Sequence, residues 1–280
     1  MFSLNLAACQ DLLTRALDED LGHGDLTANA CVSTEASARA RVIARQDLIL
    51  CGLPLAEAVF CRLDPQCHVE SSVGEGACVR VDQEILRLDG RARALLSGER
   101  TALNFLQHLS GITTLTRAYV EAVAGTSARI VDTRKTTPGL RLLEKYAVTV
   151  GGGANHRFGL FDGVLIKENH IRAAGSIAKA IAACRTHAHH LCRIEIEVTT
   201  LEELEEALVC KPDVVMLDNF TPEMAAAAVK QTQGRALLEA SGGMSLGTVR
   251  AFAEAGVDLI SVGRLTHSAP AADMSLLFET

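Results

Sequence analysis

From about residue 128 to residue 264 the chain repeats one rhythm six times: a short apolar segment of strand length, then a longer stretch with helical spacing. The six segments are ARIVDTR, GVLIKEN, RIEIEV, DVVMLDN, ALLEASG and DLISVGR. Parallel neighbours in a sheet need a connection long enough to hold a helix. Such alternation therefore commits this part of the chain to the α/β class, with a parallel sheet and right-handed crossovers. Two closures fit the pattern, a barrel and an open doubly wound sheet, and six units are fewer than the eight of the common barrel.

The front of the chain has another texture. Leu4 to Asp20 carries apolar residues at helical spacing, and LGHGDLT then interrupts it with two glycines and an aspartate. ARARVIARQDLILCG, CHVESSV and EGACVRVDQEILRLDG show the period-two alternation of antiparallel strands with one wet face. LPLAEAVFCRL has helical spacing, and ALLSGERTALNFLQHLSGITTLTRAYVEAV reads as a long helical region in which Gly111 is a candidate break. The front segment is thus α+β, and 280 residues suit two domains.

Charge narrows the choice of ligand. The chain carries 27 Lys and Arg against 34 Asp and Glu, a net −7, so nucleic acid and anionic membranes are poor partners. Between Arg129 and Arg172, however, eight basic residues face four acidic ones, a local +4 that leaves −11 on the remainder. Cationic density inside an acidic protein, interleaved with glycines and histidines, points to a small polyanion. Nine cysteines without a CxxC pair fit neither a zinc site nor a disulfide framework, and read as reduced thiols. The N-terminal MFSLNLAACQDLL meets Asp11 before an apolar core could form, so a signal peptide is not expected. With no long uncharged apolar stretch either, the expected location is cytoplasmic.

Each strand of the repeat starts apolar and ends in groups able to act on a ligand: Asp132, Arg134 and Lys135; Lys167, Glu168 and Asn169; Glu195 and Glu197; Asp218 and Asn219; Glu239 and Ser241; and Arg264 just past Gly263. In parallel α/β architectures the carboxyl ends of the strands converge on one face. TRKTTPG at 133–139 and GGGANHR at 151–157 bring Arg134, Lys135, His156 and Arg157 toward it, and with Lys167 the two arginines and two lysines suit a dianion. The GGG triplet lacks the GK[ST] ending of a P-loop and is expected to let backbone approach a ligand or a neighbouring strand. SGGM at 241–244 and SVGR at 261–264 are glycine-rich turns of the kind that offer backbone amides to phosphate. Glu195 and Glu197 share one side of their strand, with Lys167 the nearest expected partner. Glu197 and Asp218 are hard oxygen donors of the type magnesium uses beside substrate phosphates, while Glu195 is read as structural. His187, His189 and His190 in HAHH are read as solvated surface.

At full length the pattern resembles the quinolinate phosphoribosyltransferase family. VDTRKTTPGLRLLEKYAVTVGGGANHRFGLFDGVLIKENHI is similar to its central signature. EDLGHGDLT, GERTALNFLQHLSGI, IEIEVTTLEEL, VVMLDNF, EASGG and ISVGRLTHSAP follow the family's blocks in order. The resemblance implies two domains: an open α+β sandwich formed by residues 1–112 and joined by 268–280, and over 113–267 a six-stranded α/β barrel, an incomplete TIM type. It implies a homodimer, and transfer of a phosphoribosyl group from phosphoribosyl pyrophosphate to quinolinate with magnesium, giving nicotinate mononucleotide, pyrophosphate and CO2 in NAD synthesis. It also implies that Thr133, Arg134, His156, Arg157 and Lys167 bind quinolinate, with Arg100 contributed across the dimer. Lys135 would lie near both substrates, Glu197 and Asp218 near ribose and metal, and Ser241, Gly242, Gly243, Gly263 and His267 on the phosphate side. Two rivals are a pyrophosphorylase-like protein of molybdenum-transport operons, which tends to lack the lysine standing here as Lys167, and a silent barrel that only binds a phosphorylated metabolite.

Overall fold

The computed structural model describes residues 4–279, so Met1 to Ser3 of the N-terminal stretch and Thr280 lie outside it. Two compact units emerge: residues 1–117, 138–151 and 269–280 form the first, and 118–137 with 152–268 the second. The sequence reading places 138–151 with the barrel and the boundary at 112. The contacts draw that helical stretch into the first unit.

In the first unit the alternating segments form β1 (Ser37–Ala44), β2 (Leu48–Ile49), β3 (His68–Ser71), β4 (Cys78–Val79) and β5 (Glu84–Arg91). A four-stranded antiparallel sheet runs in the order C-terminal strand Met274–Phe278, β1, β5, β3, and β2 pairs with β4. Ala40, Val42, Leu86 and Leu88 turn inward at period two and are buried, so one sheet face makes the core. The helix Leu53–Leu63 carries its proline at the start, where a missing N–H costs nothing, and buries Leu55, Val59 and Phe60.

The long helix runs unbroken from Ala92 to Ala122, straight through the candidate break at Gly111. A Cβ at Gly111 would stand 2.1 Å from the Pro270 carbonyl oxygen, so this glycine serves a close approach of backbone to helix. Gly111→Ala is therefore expected to lower unfolding free energy by about 3 kcal/mol through overpacking against main chain that cannot swing aside, as read by urea denaturation. A loss under about 0.5 kcal/mol would show that the segment yields.

The helix Arg141–Val150 joins the first unit because its polar groups find partners there. Glu144 is fully buried and lies 3.0 Å from His108 Nε2, and the Tyr146 hydroxyl donates to Glu75 at 2.8 Å. Gly151 closes the same packing, since a Cβ there would meet Thr116 Cβ at 2.7 Å and the Thr113 carbonyl at 2.8 Å. The GGG triplet thus begins with an approach to the long helix, where sequence reading expects a ligand or a strand.

The second unit holds all six expected strands: β6 (Arg129–Val131), β7 (Val164–Ile166), β8 (Ile194–Val198), β9 (Val214–Asp218), β10 (Leu237–Ser241) and β11 (Leu259–Ser261). They form one parallel sheet in the order β6-β11-β10-β9-β8-β7. The last strand returns to the first, with no reversal of order such as a doubly wound sheet requires. This is the order of a barrel, open between β6 and β7, where Ala154 of the incoming segment bridges Val131. The sheet also curls around a shared interior, for His156 reaches Glu195 on β8 and Glu239 on β10 at once.

Candidate active site

Register decides what the barrel encloses. Glu197 pairs with Met216 and Met216 with Glu239, while Asp218 pairs with Ser241, so these side chains share the inward face. At the carboxyl ends of the strands this face opens into a cleft of about 440 Å³. Thr133, Arg134, Lys135, His156, Arg157, Lys167, Glu197, Asp218, Ser241, Gly242 and Gly243 all line it, together with Asn219, Glu239 and Ser261. Of the eight basic residues in the cationic segment the cleft takes four: Arg134, Lys135, Arg157 and Lys167. Arg129 lines a second cavity at the opposite end of the barrel, and Arg172 pairs with Glu168 on the surface.

Asp132, fully buried at the end of β6, anchors the segment that carries two of the site residues. It accepts from Asn155 Nδ2 at 2.6 Å and from the His156 backbone N–H at 2.9 Å. The Arg157 backbone N–H donates to His156 Nδ1 at 2.7 Å, which places the imidazole proton on Nε2, 3.0 Å from Glu195 and 3.7 Å from Glu239. The ligand atoms of His156, Glu195 and Glu239 lie within 4.8 Å of one another, a spacing a metal could use. The tautomer opposes that use, since a metal would need the lone pair that Nε2 does not have.

Arg157 donates through Nη1 to the Gly163 carbonyl at 2.8 Å, and its Nε is buried without a partner. Burial, and next the positive charge of Arg134, hold its guanidinium below the usual arginine range. Two guanidiniums that press on each other beside an unsatisfied donor make a receptor short of negative charge. Lys167 pairs with Glu197 at 2.8 Å, so it answers the inner of the two expected glutamates less than the outer one, and His156 answers Glu195. The Asp218 carboxyl is pushed up by burial and then by Glu197, and accepts from Asn219 at 2.8 Å.

The turn after β10 is shaped for close backbone approach. Gly242 has φ of 100° and a Cβ there would fall 2.2 Å from Asn219 Oδ1, while Gly243 has φ of 59°. Gly263 and His267 are not among the residues lining the cleft. They stand beside Lys135, because a Cβ on Gly263 would meet Lys135 Cδ at 3.0 Å and His267 Cδ2 at 3.3 Å. Arg100 is exposed on the long helix of the first unit, and the cleft lining comes wholly from the second. His187, His189 and His190 are exposed. Sequence reading missed Asn155 and the anchoring task of Asp132, although a buried acid two residues before an arginine was a signal for it.

Residues 112–277 match the C-terminal domain of quinolinate phosphoribosyl transferase and residues 25–110 match its N-terminal domain. The chain is 43% identical over 273 residues to the probable nicotinate-nucleotide pyrophosphorylase (carboxylating) of Bacillus subtilis, covering 98% of this chain and 94% of that one. It is 44% identical to the nicotinate-nucleotide pyrophosphorylase (carboxylating) of Mycobacterium leprae, covering 96% of each. The crystal structure of NadC from Streptococcus pyogenes superposes with a TM-score of 0.96 at 40% identity, over the whole of both chains.

Proposed function

The chain belongs to the quinolinate phosphoribosyltransferase family, and from that premise we propose that the barrel cleft binds quinolinate on its cationic side and phosphoribosyl pyrophosphate along the β8 to β10 strand ends. It is a pentosyltransferase of NAD synthesis, joining the two substrates to give nicotinate mononucleotide, pyrophosphate and CO2. Neither the molybdenum-operon protein nor a silent barrel is favoured by its relatives.

The observation that carries the residue assignment is the meeting of Arg134, Lys135, Arg157 and Lys167 in one cleft, with the Arg157 Nε unsatisfied. The forked guanidiniums grip carboxylates through paired hydrogen bonds, and they orient the pyridine nitrogen toward the anomeric carbon. As pyrophosphate leaves, positive charge builds on the ribosyl group, which Glu197 and Asp218 steady from their strand ends. The turn at Ser241 to Gly243 offers backbone donors to phosphate. Once the ring nitrogen is ribosylated it draws electrons, the C2–carboxylate bond breaks with its pair remaining on C2, and CO2 departs. Lys135 stands where it can assist that departure or the protonation of C2.

Glu197 and Asp218 would hold a magnesium ion, because burial and then the charge of Glu197 push the Asp218 carboxyl upward and a divalent cation would relieve that. They would hold it directly or through substrate and water, and the ion supplies charge neutralisation to the departing pyrophosphate. The assay is incubation with quinolinate, phosphoribosyl pyrophosphate and magnesium, with nicotinate mononucleotide measured; absence of product overturns the reading.

The working form in this proposal is a homodimer in the cytoplasm, with Arg100 of the partner completing the cationic wall. Arg100 is exposed and absent from the lining of its own chain's cleft, which leaves it available to a second copy. Mixing inactive Arg100→Ala and inactive Lys135→Ala proteins is expected to restore up to about a quarter of wild-type activity per site, since hybrid dimers regain one intact cleft. No rescue after verified subunit exchange would sink the trans assignment.

A further inference from the structure

The reading of the cleft as a dianion receptor leaves its floor unexplained. Glu239 is 1% exposed, lines the cleft from below, and has an Oε1 that is buried without a hydrogen-bond partner. Glu195 is 7% exposed and has a second such oxygen. Buried acids beneath a site for a doubly negative ligand should repel it.

Charge counting resolves the conflict. His156 Nδ1 accepts the Arg157 backbone N–H, so the imidazole faces the two acids through Nε2. Two buried carboxylates whose oxygens lie within 4.8 Å of each other and of the same imidazole nitrogen repel one another, and the repulsion is relieved when one of them holds a proton. One acid therefore keeps its proton. Glu195 accepts the imidazole N–H at 3.0 Å, while Glu239 stands off at 3.7 Å, so Glu239 is the acid left without that donor.

Resting on the proposed function, we propose that Glu239 stays in its neutral carboxylic form as the uncharged floor of the quinolinate site, and that its ionisation closes the site to aromatic dicarboxylates. It is a positioning residue that sets which ligand charge the cleft tolerates. Burial, and next the charge of Glu195, push its carboxyl well above the usual carboxylate range. Facing it are Glu195 from β8, His156 and Arg157 from the segment after β6, and Ser261 from β11, with Met216 beside it on β9. Arg129, Asp162 and Arg193 line the cavity below, while Lys135, Lys167, Glu197 and Asp218 line the cleft above.

The test titrates the whole protein with phthalate, an aromatic 1,2-dicarboxylate that has no ring nitrogen to ribosylate, in buffers of different ionisation enthalpy. Between about pH 7 and about pH 9 the wild-type affinity is expected to fall about tenfold, with uptake of close to one proton per bound ligand at the higher pH. In Glu239→Gln the fall shrinks to under about twofold and the uptake disappears, because only that group's titration has been removed. A further measurement guards against a merely structural effect. Because Glu239 is held above its unfolded value of 4.5, the stability its neutral form permits is present below that value and is lost as pH rises, so the variant's melting temperature should drop less than wild type from about pH 5 upward. Wild-type binding that is flat with pH and takes up no proton overturns the proposal while leaving the cleft assignment standing. A pH dependence retained in Glu239→Gln does the same. Failure of both phthalate and quinolinate to bind at either pH overturns the cleft assignment and the floor together.

Discussion

Arg157→Ala is expected to lower kcat/KM for quinolinate by about 1000-fold, or about 4 kcal/mol, with most of the change in KM. The side chain is positioned by a bond from Nη1 to the Gly163 carbonyl and leaves its Nε unsatisfied in a buried place. Truncation removes a charge-assisted fork and also strips Glu195 of supporting positive charge, and losing one member of such a desolvated set costs about 2–5 kcal/mol. The large penalty depends on burial, since a solvent-exposed ion pair would be worth under about 1 kcal/mol. Steady-state kinetics at varied quinolinate, with the melting temperature as a fold control, decides the matter. A folded variant within tenfold of wild type would remove Arg157 from the clamp.

Asp218→Asn is expected to reduce kcat/KM for phosphoribosyl pyrophosphate by about 100-fold, or about 2.7 kcal/mol, and to raise the magnesium concentration needed for half-maximal rate. The substitution keeps shape and the bond to Asn219 can be replaced, so the loss reports charge. In the free protein this carboxyl sits in an unfavourable place, half-buried and beside Glu197, and both push it up. Charge kept under such pressure is matched to a cation that arrives with substrate. An unchanged magnesium requirement, with kcat/KM within threefold, would assign Asp218 to structure.

Much of this site is visible in the primary structure because parallel α/β units have a simple rule. Lys167, Glu197, Asp218 and Ser241 each sit at the end of an apolar segment, and strand ends gather on one face whatever their separation along the chain. The six strands, and the cationic set of Arg134, Lys135 and Arg157, follow from the same reasoning. The family blocks add an order and a chemistry that the residues alone leave open.

Gly111 shows where local reasoning fails. A glycine inside a helical pattern signals a break only if nothing else claims the position, and here the Pro270 carbonyl does, from 159 residues further along the chain. The helix Arg141–Val150 is similar: its period predicts a helix, but which unit it joins depends on Glu75 and His108, whose places no periodicity reveals. Strand adjacency makes Lys167 the expected partner of both Glu195 and Glu197; it meets Glu197, while the entry of residues 152–163 brings His156 to Glu195.

The order of amino acids thus determined the class of the fold, its strands and the residues that meet at their carboxyl ends, because hydrophobic period and strand polarity are local properties. Tertiary structure alone decided the pairings inside the barrel, the tautomer of His156 and the burial of Glu239 beside Glu195. Those depend on distances of a few ångströms between segments far apart in the chain, and on how little water reaches them.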